Sequence, residues 1–172
     1  MGMAGETSRN VEKSGEGLRV ALVVSRFNDK VTAELSAGAR AALTAGGVAE
    51  PDIHEYHVPG AFELAPACRQ VLSGDAEYDA VIALGAIVRG ETSHFDVLAQ
   101  TVTSALQQLA NEMSIPLAFG VLTCETAEQA EARAERRGLD RGGDAARAAL
   151  AQAALYDRLR ERRPSVRGFR LP

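Results

Sequence analysis

A chain of 172 residues, 46% of them hydrophobic, has enough apolar material for one full-sized core, which excludes a wholly disordered polypeptide. A formal net charge of -4 excludes a general electrostatic attraction to nucleic acid. Two widely separated cysteines, Cys68 and Cys124, fit neither a metal pair nor a disulfide framework, and no apolar run reaches the roughly 18 residues of a membrane helix, so the chain reads as a cytoplasmic protein with reduced thiols.

The segment 1–17 is rich in Gly, Ser and charge and lacks the apolar core of a signal peptide; it is expected to be a flexible arm or a strand added to a neighbour's sheet. Leu18 to Ser25 is a near-continuous β-branched and aliphatic run, as in a strand covered on both faces. Asn28 or Asp29 can cap the next helix, where Val31, Leu35, Ala39 and Leu43 recur at helical spacing, and Gly46-Gly47 stops it. Ile53 to Val58 is a second, weaker strand; Pro59-Gly60 turns the chain into a helix from about Ala61 to Leu72. Asp79 to Ile87 is the third strand, and a long helix from about His94 to Met113 carries Phe95, Leu98, Val102, Ala105, Leu106 and Leu109 on one face. Pro116 to Leu122 is the fourth strand, Thr126 to about Arg136 a short helix, Gly138 to Gly143 a break, and Asp144 to about Arg163 an Ala-rich helix ended by Pro164. Arg158, Arg160, Arg162, Arg163, Arg167 and Arg170 read as a solvated helix end suited to the negative dipole terminus, since no aromatic residues interleave for base stacking.

This alternation predicts a four-stranded parallel sheet with helices on both faces, spanning residues 18–163 between the arm and a tail at 164–172. Ligands bind beyond the carboxyl ends of such strands, which selects Arg26-Phe27-Asn28, Val58 to Glu63, Val88 to His94, and Thr123-Cys124. The third of these is the most informative. A strand end, the unpartnered N–H groups of a helix start and an imidazole meet there, placing an anion site beside an acid/base group. A metal reading of His94 is poor, because His54 and His57 lie on another strand and no carboxylate cluster accompanies them. Phe27 either stacks on a flat heterocycle or closes the core beneath a loop, and Phe62 can simply pack inward. Glu63 suits the first turn of a helix whether or not it binds a ligand. Arg89, Arg133 and Arg141 are candidates for a phosphate clamp, because guanidinium matches phosphate oxygens. No Gly-x-Gly-x-x-Gly, P-loop or nucleophile elbow is present.

Ser25-Arg26-Phe27-Asn28, Val58 to Leu64, Gly85 to Asp96, and Phe119 to Thr123 together resemble the lumazine synthases, transferases of riboflavin biosynthesis, in order and at fitting spacing over roughly Leu18 to Leu159. The resemblance implies a flavodoxin-like three-layer α/β/α sandwich. It also implies homopentamers, in some members twelve of them forming a capsid, with active sites between adjacent subunits. The implied reaction joins 5-amino-6-(D-ribitylamino)uracil to 3,4-dihydroxy-2-butanone 4-phosphate, without metal, flavin or nicotinamide. By match to the motifs, Phe27 stacks on the pyrimidine. Ala61, Phe62 and Glu63 hold the ribityl chain, and Ala86, Ile87 and Val88 hold the pyrimidine edge. Glu91, Thr92 and Arg133 bind phosphate, His94 moves protons, and Phe119 reaches in from the adjacent subunit. Two departures stand out. Ala65 intervenes before Pro66 in the second motif, and Glu135 to Gly142 replaces a loop of Gly-Thr-Lys-Ala-Gly-Asn-Lys-Gly type, with Arg141 where a lysine is typical. That loop lies near pentamer–pentamer contacts in the family, so isolated pentamers are expected here rather than capsids.

Two rival classes are weaker. A non-catalytic riboflavin- or lumazine-binding carrier or shell protein needs neither His94 nor Arg133. A response or electron-transfer module needs an acidic phosphoacceptor or a Ser/Thr-rich loop after the first strand, and Ser25 to Asn28 supplies neither.

Overall fold

The computed structural model describes residues 15–161 and shows strands β1 (Val20–Ser25), β2 (Ile53–Val58), β3 (Ala80–Val88) and β4 (Leu117–Cys124) alternating with helices. The helices are α1 (Asp29–Ala45), α2 (Leu64–Ser73), α3 (His94–Glu112), α4 (Ala127–Ala134) and α5 (Arg141–Glu161). All strand pairs are parallel, in the order β2-β1-β3-β4, with Val20 opposite Ile53 and Ala80, and Ala83 opposite Phe119. This is the flavodoxin-like three-layer arrangement. The expectations for residues 1–14, for the arginines beyond 161 and for the tail lie outside the described residues. Residues 15–17 begin a turn tied to the end of α1, the Gly15 N–H donating to the Gly46 carbonyl at 2.9 Å.

Burial follows position in the sheet. The two central strands are continuous apolar runs, β1 buried throughout and β3 up to Val88. The edge strands are only partly covered: Tyr56 and His57 in β2, and Phe119 and Thr123 in β4, are exposed. One face packs Val20, Leu22, Ile82 and Leu84 against α1, α4 and α5; the other packs Ala21, Val23, Val81 and Val121 against α2 and α3. Val102, Leu106 and Leu109 are the buried part of the α3 stripe, while Phe95 and Leu98 are half-buried toward the strand ends.

Three local expectations are corrected. Asn28 does not cap α1 with its side chain; it takes a left-handed backbone (φ 61°) and reaches across the sheet instead. The helix expected from Ala61 begins as a 3-10 turn, Ala61–Glu63, because the Glu63 carboxylate turns back to accept the Gly60 N–H at 2.9 Å. The final helix starts at Arg141, not Asp144, so the expected glycine break is helical at Gly142 and Gly143. Asp140, at φ 46°, supplies the start: its carboxylate accepts the Gly143 N–H at 3.1 Å and its carbonyl accepts that of Asp144 at 2.9 Å.

Both cysteines are free and buried. Burial pushes the Cys68 thiol up to about 12, and raises Cys124 as well despite the opposing charge of Arg133. At about pH 8 the native protein is expected to resist iodoacetamide at both sites while the denatured chain is alkylated at both, because the thiolate is the nucleophile; mass spectrometry reads the labels. Rapid native labelling at Cys68 would contradict its burial.

Candidate active site

The chain steps from β1 to β2 in one direction across the sheet and from β3 to β4 in the other. The switch point therefore lies between the carboxyl ends of β1 and β3, where doubly wound sheets open a crevice. The turn after β1 is held by backbone bonds, with Arg26 N–H donating to Val58 O at 2.8 Å and Phe27 N–H to Pro59 O at 3.0 Å. Asn28 Nδ2 donates to the Ala86 carbonyl at 2.9 Å and ties that turn to β3. These bonds leave the Phe27 ring no place in the core, and it is 71% exposed.

A cavity of about 450 Å³ opens at this point. Phe27, Ala61, Phe62, Ala86, Ile87, Val88, Thr92 and His94 line it, with Gly60, Gly90, Phe95 and Leu98. Eight residues selected from the sequence thus meet at one place. Phe62 does not pack inward; it is 63% exposed at the cavity mouth. A larger groove of about 740 Å³ between α1 and α4 is walled by charged side chains such as Lys30, Glu34, Glu131 and Arg136, and shares no lining residue with this cavity.

The cavity's polar end is the start of α3. Gly90 to Ser93 are all exposed, and the Thr92 hydroxyl accepts the His94 N–H at 3.4 Å. The imidazole of His94 stands at the first turn, exposed and beside the amides that a helix start leaves for an anion. Arg89, read from the sequence as a clamp candidate, is already engaged. It forms a bidentate pair with Asp96 (2.7 and 2.9 Å) and a second pair with Glu125 (2.6 Å). The pairing with Asp96 first, and Glu125 second, holds the guanidinium more firmly charged, and in return keeps the Asp96 carboxyl below its ordinary range.

Five other candidates do not line the cavity. Glu63 sits behind the Gly60 turn, holding its N–H. Glu91 is exposed on the loop before α3. Phe119 is 45% exposed midway along the edge strand. Arg133, at the end of α4, donates to the Gln129 carbonyl at 3.0 Å and has no carboxylate partner among the described residues. Arg141 pairs with Asp144 at 2.9 Å in the first turn of α5.

The model of the family described as 6,7-dimethyl-8-ribityllumazine synthase matches residues 17–157. The chain belongs to the 6,7-dimethyl-8-ribityllumazine synthase family. A protein of that name from Gemmatimonas aurantiaca is 46% identical over 147 residues, covering 86% of this chain and 89% of its own length. One from Chlorobium chlorochromatii is 47% identical over 144 residues, covering 83% and 92%. Another from Chlorobaculum tepidum is 45% identical over 154 residues, covering 88% and 98%.

Within this member of the lumazine synthase family, sequence reasoning missed two walls of the cavity and one tie beside it. Phe95 and Leu98 were absorbed into the core stripe of α3, though a stripe that continues to the first turn of a helix at a strand end also faces the crevice. Asn28, which does not line the cavity but ties the Phe27 turn to Ala86, offered a helix-capping signal that its side chain does not fulfil. Among the described residues no group of three His, Cys, Asp or Glu side chains is placed to hold a metal ion, and no helix is long and apolar enough to cross a membrane.

Proposed function

We propose that the chain condenses 5-amino-6-(D-ribitylamino)uracil with 3,4-dihydroxy-2-butanone 4-phosphate, giving 6,7-dimethyl-8-ribityllumazine in the penultimate step of riboflavin biosynthesis in the cytoplasm. The observation that carries this reading is the single cavity at the β1/β3 switch point, with exposed aromatic rings at one end and the α3 start with its imidazole at the other. Phe27 stacks on the pyrimidine, whose edge meets the backbone of Ala86, Ile87 and Val88. Ala61 and Phe62 border the ribityl chain, and Glu63 both braces Gly60 and accepts from a ribityl hydroxyl. Phosphate binds at Glu91 and Thr92, through the loop amides and the helix start, and is completed by Arg133. The amine and ketone form an imine with loss of one water, phosphate leaves by elimination and the resulting enol tautomerises to a ketone, and the ribityl-bearing nitrogen closes the ring on that carbonyl with loss of a second water; His94 carries protons between the oxygen, nitrogen and carbon atoms involved. Holding two reactants together lowers the entropic part of the barrier, and one placed imidazole adds about 10² to 10⁴ in rate.

The same reading makes the enzyme a homopentamer with sites between neighbours. Support comes from Phe119 and Arg133, which one chain leaves away from its own cavity, and from the exposed rings of Phe27 and Phe62, which a neighbour would cover. Phe119 then enters the adjacent subunit's site. The unusual Glu135 to Gly142 segment favours isolated pentamers over capsids of twelve, and sedimentation velocity separates the two by mass.

The direct test mixes purified protein with both substrates and follows lumazine absorbance. Product above the uncatalysed rate is expected; riboflavin binding without turnover would instead indicate a carrier. Replacing Arg133 with Ala is expected to raise the KM for the butanone phosphate by about ten- to a hundredfold, the worth of a charge-assisted hydrogen bond, with a much smaller change for the pyrimidine. Equal changes for both substrates would remove Arg133 from the clamp.

A further inference from the structure

We propose that Arg89 is a positioning residue for the butanone phosphate, holding the loop at Gly90–Ser93 and the first turn of α3 in register without touching the phosphate itself. This rests on the reaction assigned above. The loop is exposed throughout, and its internal side-chain tie is the long Thr92–His94 contact at 3.4 Å. A loop of this kind has little to hold its amides in a fixed concave array. Arg89 supplies the missing restraint from one side chain. Its backbone N–H extends the β3/β4 ladder by donating to Cys124 O at 2.9 Å. From that anchor, both terminal nitrogens grip Asp96 in α3, Nε grips Glu125 beyond β4, and the guanidinium carbon lies 4.2 Å from the centroid of the Phe95 ring. Three elements are thus joined on either side of the loop. The stacked ring is itself a cavity wall, so the same contact sets that wall's position.

Charge separates this role from direct binding. Two carboxylates take up three of the guanidinium's N–H donors and more than cancel its charge, so the cluster as a whole carries a net negative charge that disfavours a phosphate. Exposed ion pairs add little to global stability, but a bidentate pair within a network fixes local geometry well. A shift of about an ångström in the loop is enough to cost up to about a hundredfold in catalysis.

The two roles predict opposite results. For positioning, Arg89→Met raises the KM for the butanone phosphate by about ten- to a hundredfold and moves the pyrimidine KM far less. Arg89→Lys recovers little, because an ammonium cannot make the bidentate, second and stacking contacts together. Asp96→Asn raises the same KM, since it loosens the tie. For direct binding, Asp96→Asn frees the guanidinium and lowers that KM, and Lys substitutes well; either outcome overturns the proposal. A readout independent of turnover is amide hydrogen exchange over residues 90–97, with inorganic phosphate as probe. Arg89→Met is expected to speed exchange there, to abolish protection by phosphate, and to leave the rest of the chain and the unfolding midpoint unchanged. Unaltered exchange in that segment also overturns the proposal. A wild-type protein that forms no lumazine would defeat the assigned reaction instead, and the exchange experiment would still judge the tie.

Discussion

His94→Ala is expected to lower kcat by about 10² to 10⁴ while leaving the affinity for the pyrimidine within a few-fold of wild type. The expectation follows from how little else the side chain does. His94 is exposed, opens α3 at the cavity, and makes no side-chain hydrogen bond among the described residues. Its removal deletes no buried surface and leaves no buried group unpartnered, so the unfolding free energy should change by no more than about 0.5 kcal/mol. The pyrimidine end of the cavity, built on Phe27 and the β3 backbone, stays as it is. A loss confined to kcat identifies a group acting in the transition state rather than in ground-state binding. Because the position is open to solvent, free imidazole should restore part of the rate to His94→Ala and none to a variant in which the site has collapsed. Steady-state absorbance with both substrates, and calorimetric titration with the pyrimidine alone, check the two halves. Unchanged turnover would take proton transfer away from this residue, and the strand-end amides would then have to supply the catalysis by electrostatics and proximity.

What the sequence revealed, and what it hid, divides by the range of the interactions involved. Val20 to Ser25 and Ala80 to Val88 declare themselves because a central parallel strand is apolar on both faces, and that is a local property of the residues. Ile53–Val58 was bounded correctly, with Pro51 before it and Pro59-Gly60 after it. His94 was placed at a helix start by the end of one apolar run and the beginning of a helical period. Asn28 was misjudged because its competing partner, the Ala86 carbonyl, lies 58 residues away, and no local pattern reports it. Arg89 looked like a free cation for the same reason: Glu125, one of its two acids, belongs to a different strand end. Whether Phe27 was buried or presented depended on the turn bonds to Val58 and Pro59, again contacts between separate strands. Local patterning therefore located the cavity, while the pairing of side chains across it was a tertiary property.

Gly142→Ala is expected to destabilise the fold by about 1 to 3 kcal/mol or more, the range for overpacking, although helix propensity alone favours Ala over Gly by about 1 kcal/mol. Gly142 lies in the first turn of α5, where that helix meets α1. A Cβ at this position would collide with the Leu35 carbonyl oxygen and come within 2.7 Å of its carbon and 2.8 Å of its Cα. These are backbone atoms of a helix that packs on the central sheet, so no side-chain rotation relieves the clash and α5 must draw away from α1. Small residues on both sides permit the close approach: a Cβ at Gly38 of α1 would likewise press on Asp140 and on Gly143 N. The disturbance has a route to the cavity, because α1 begins one residue after Asn28, the side chain that ties the Phe27 turn to Ala86. Thermal unfolding should therefore show a Tm lower by several degrees, accompanied by a higher KM for the pyrimidine. Gly138→Ala provides the contrast: nothing there lies closer than 3.4 Å to a new Cβ, and the change should be close to neutral. If Gly142→Ala instead raised Tm, helix propensity would outweigh packing at this contact, and the close approach of α5 to α1 would not be what the glycine serves.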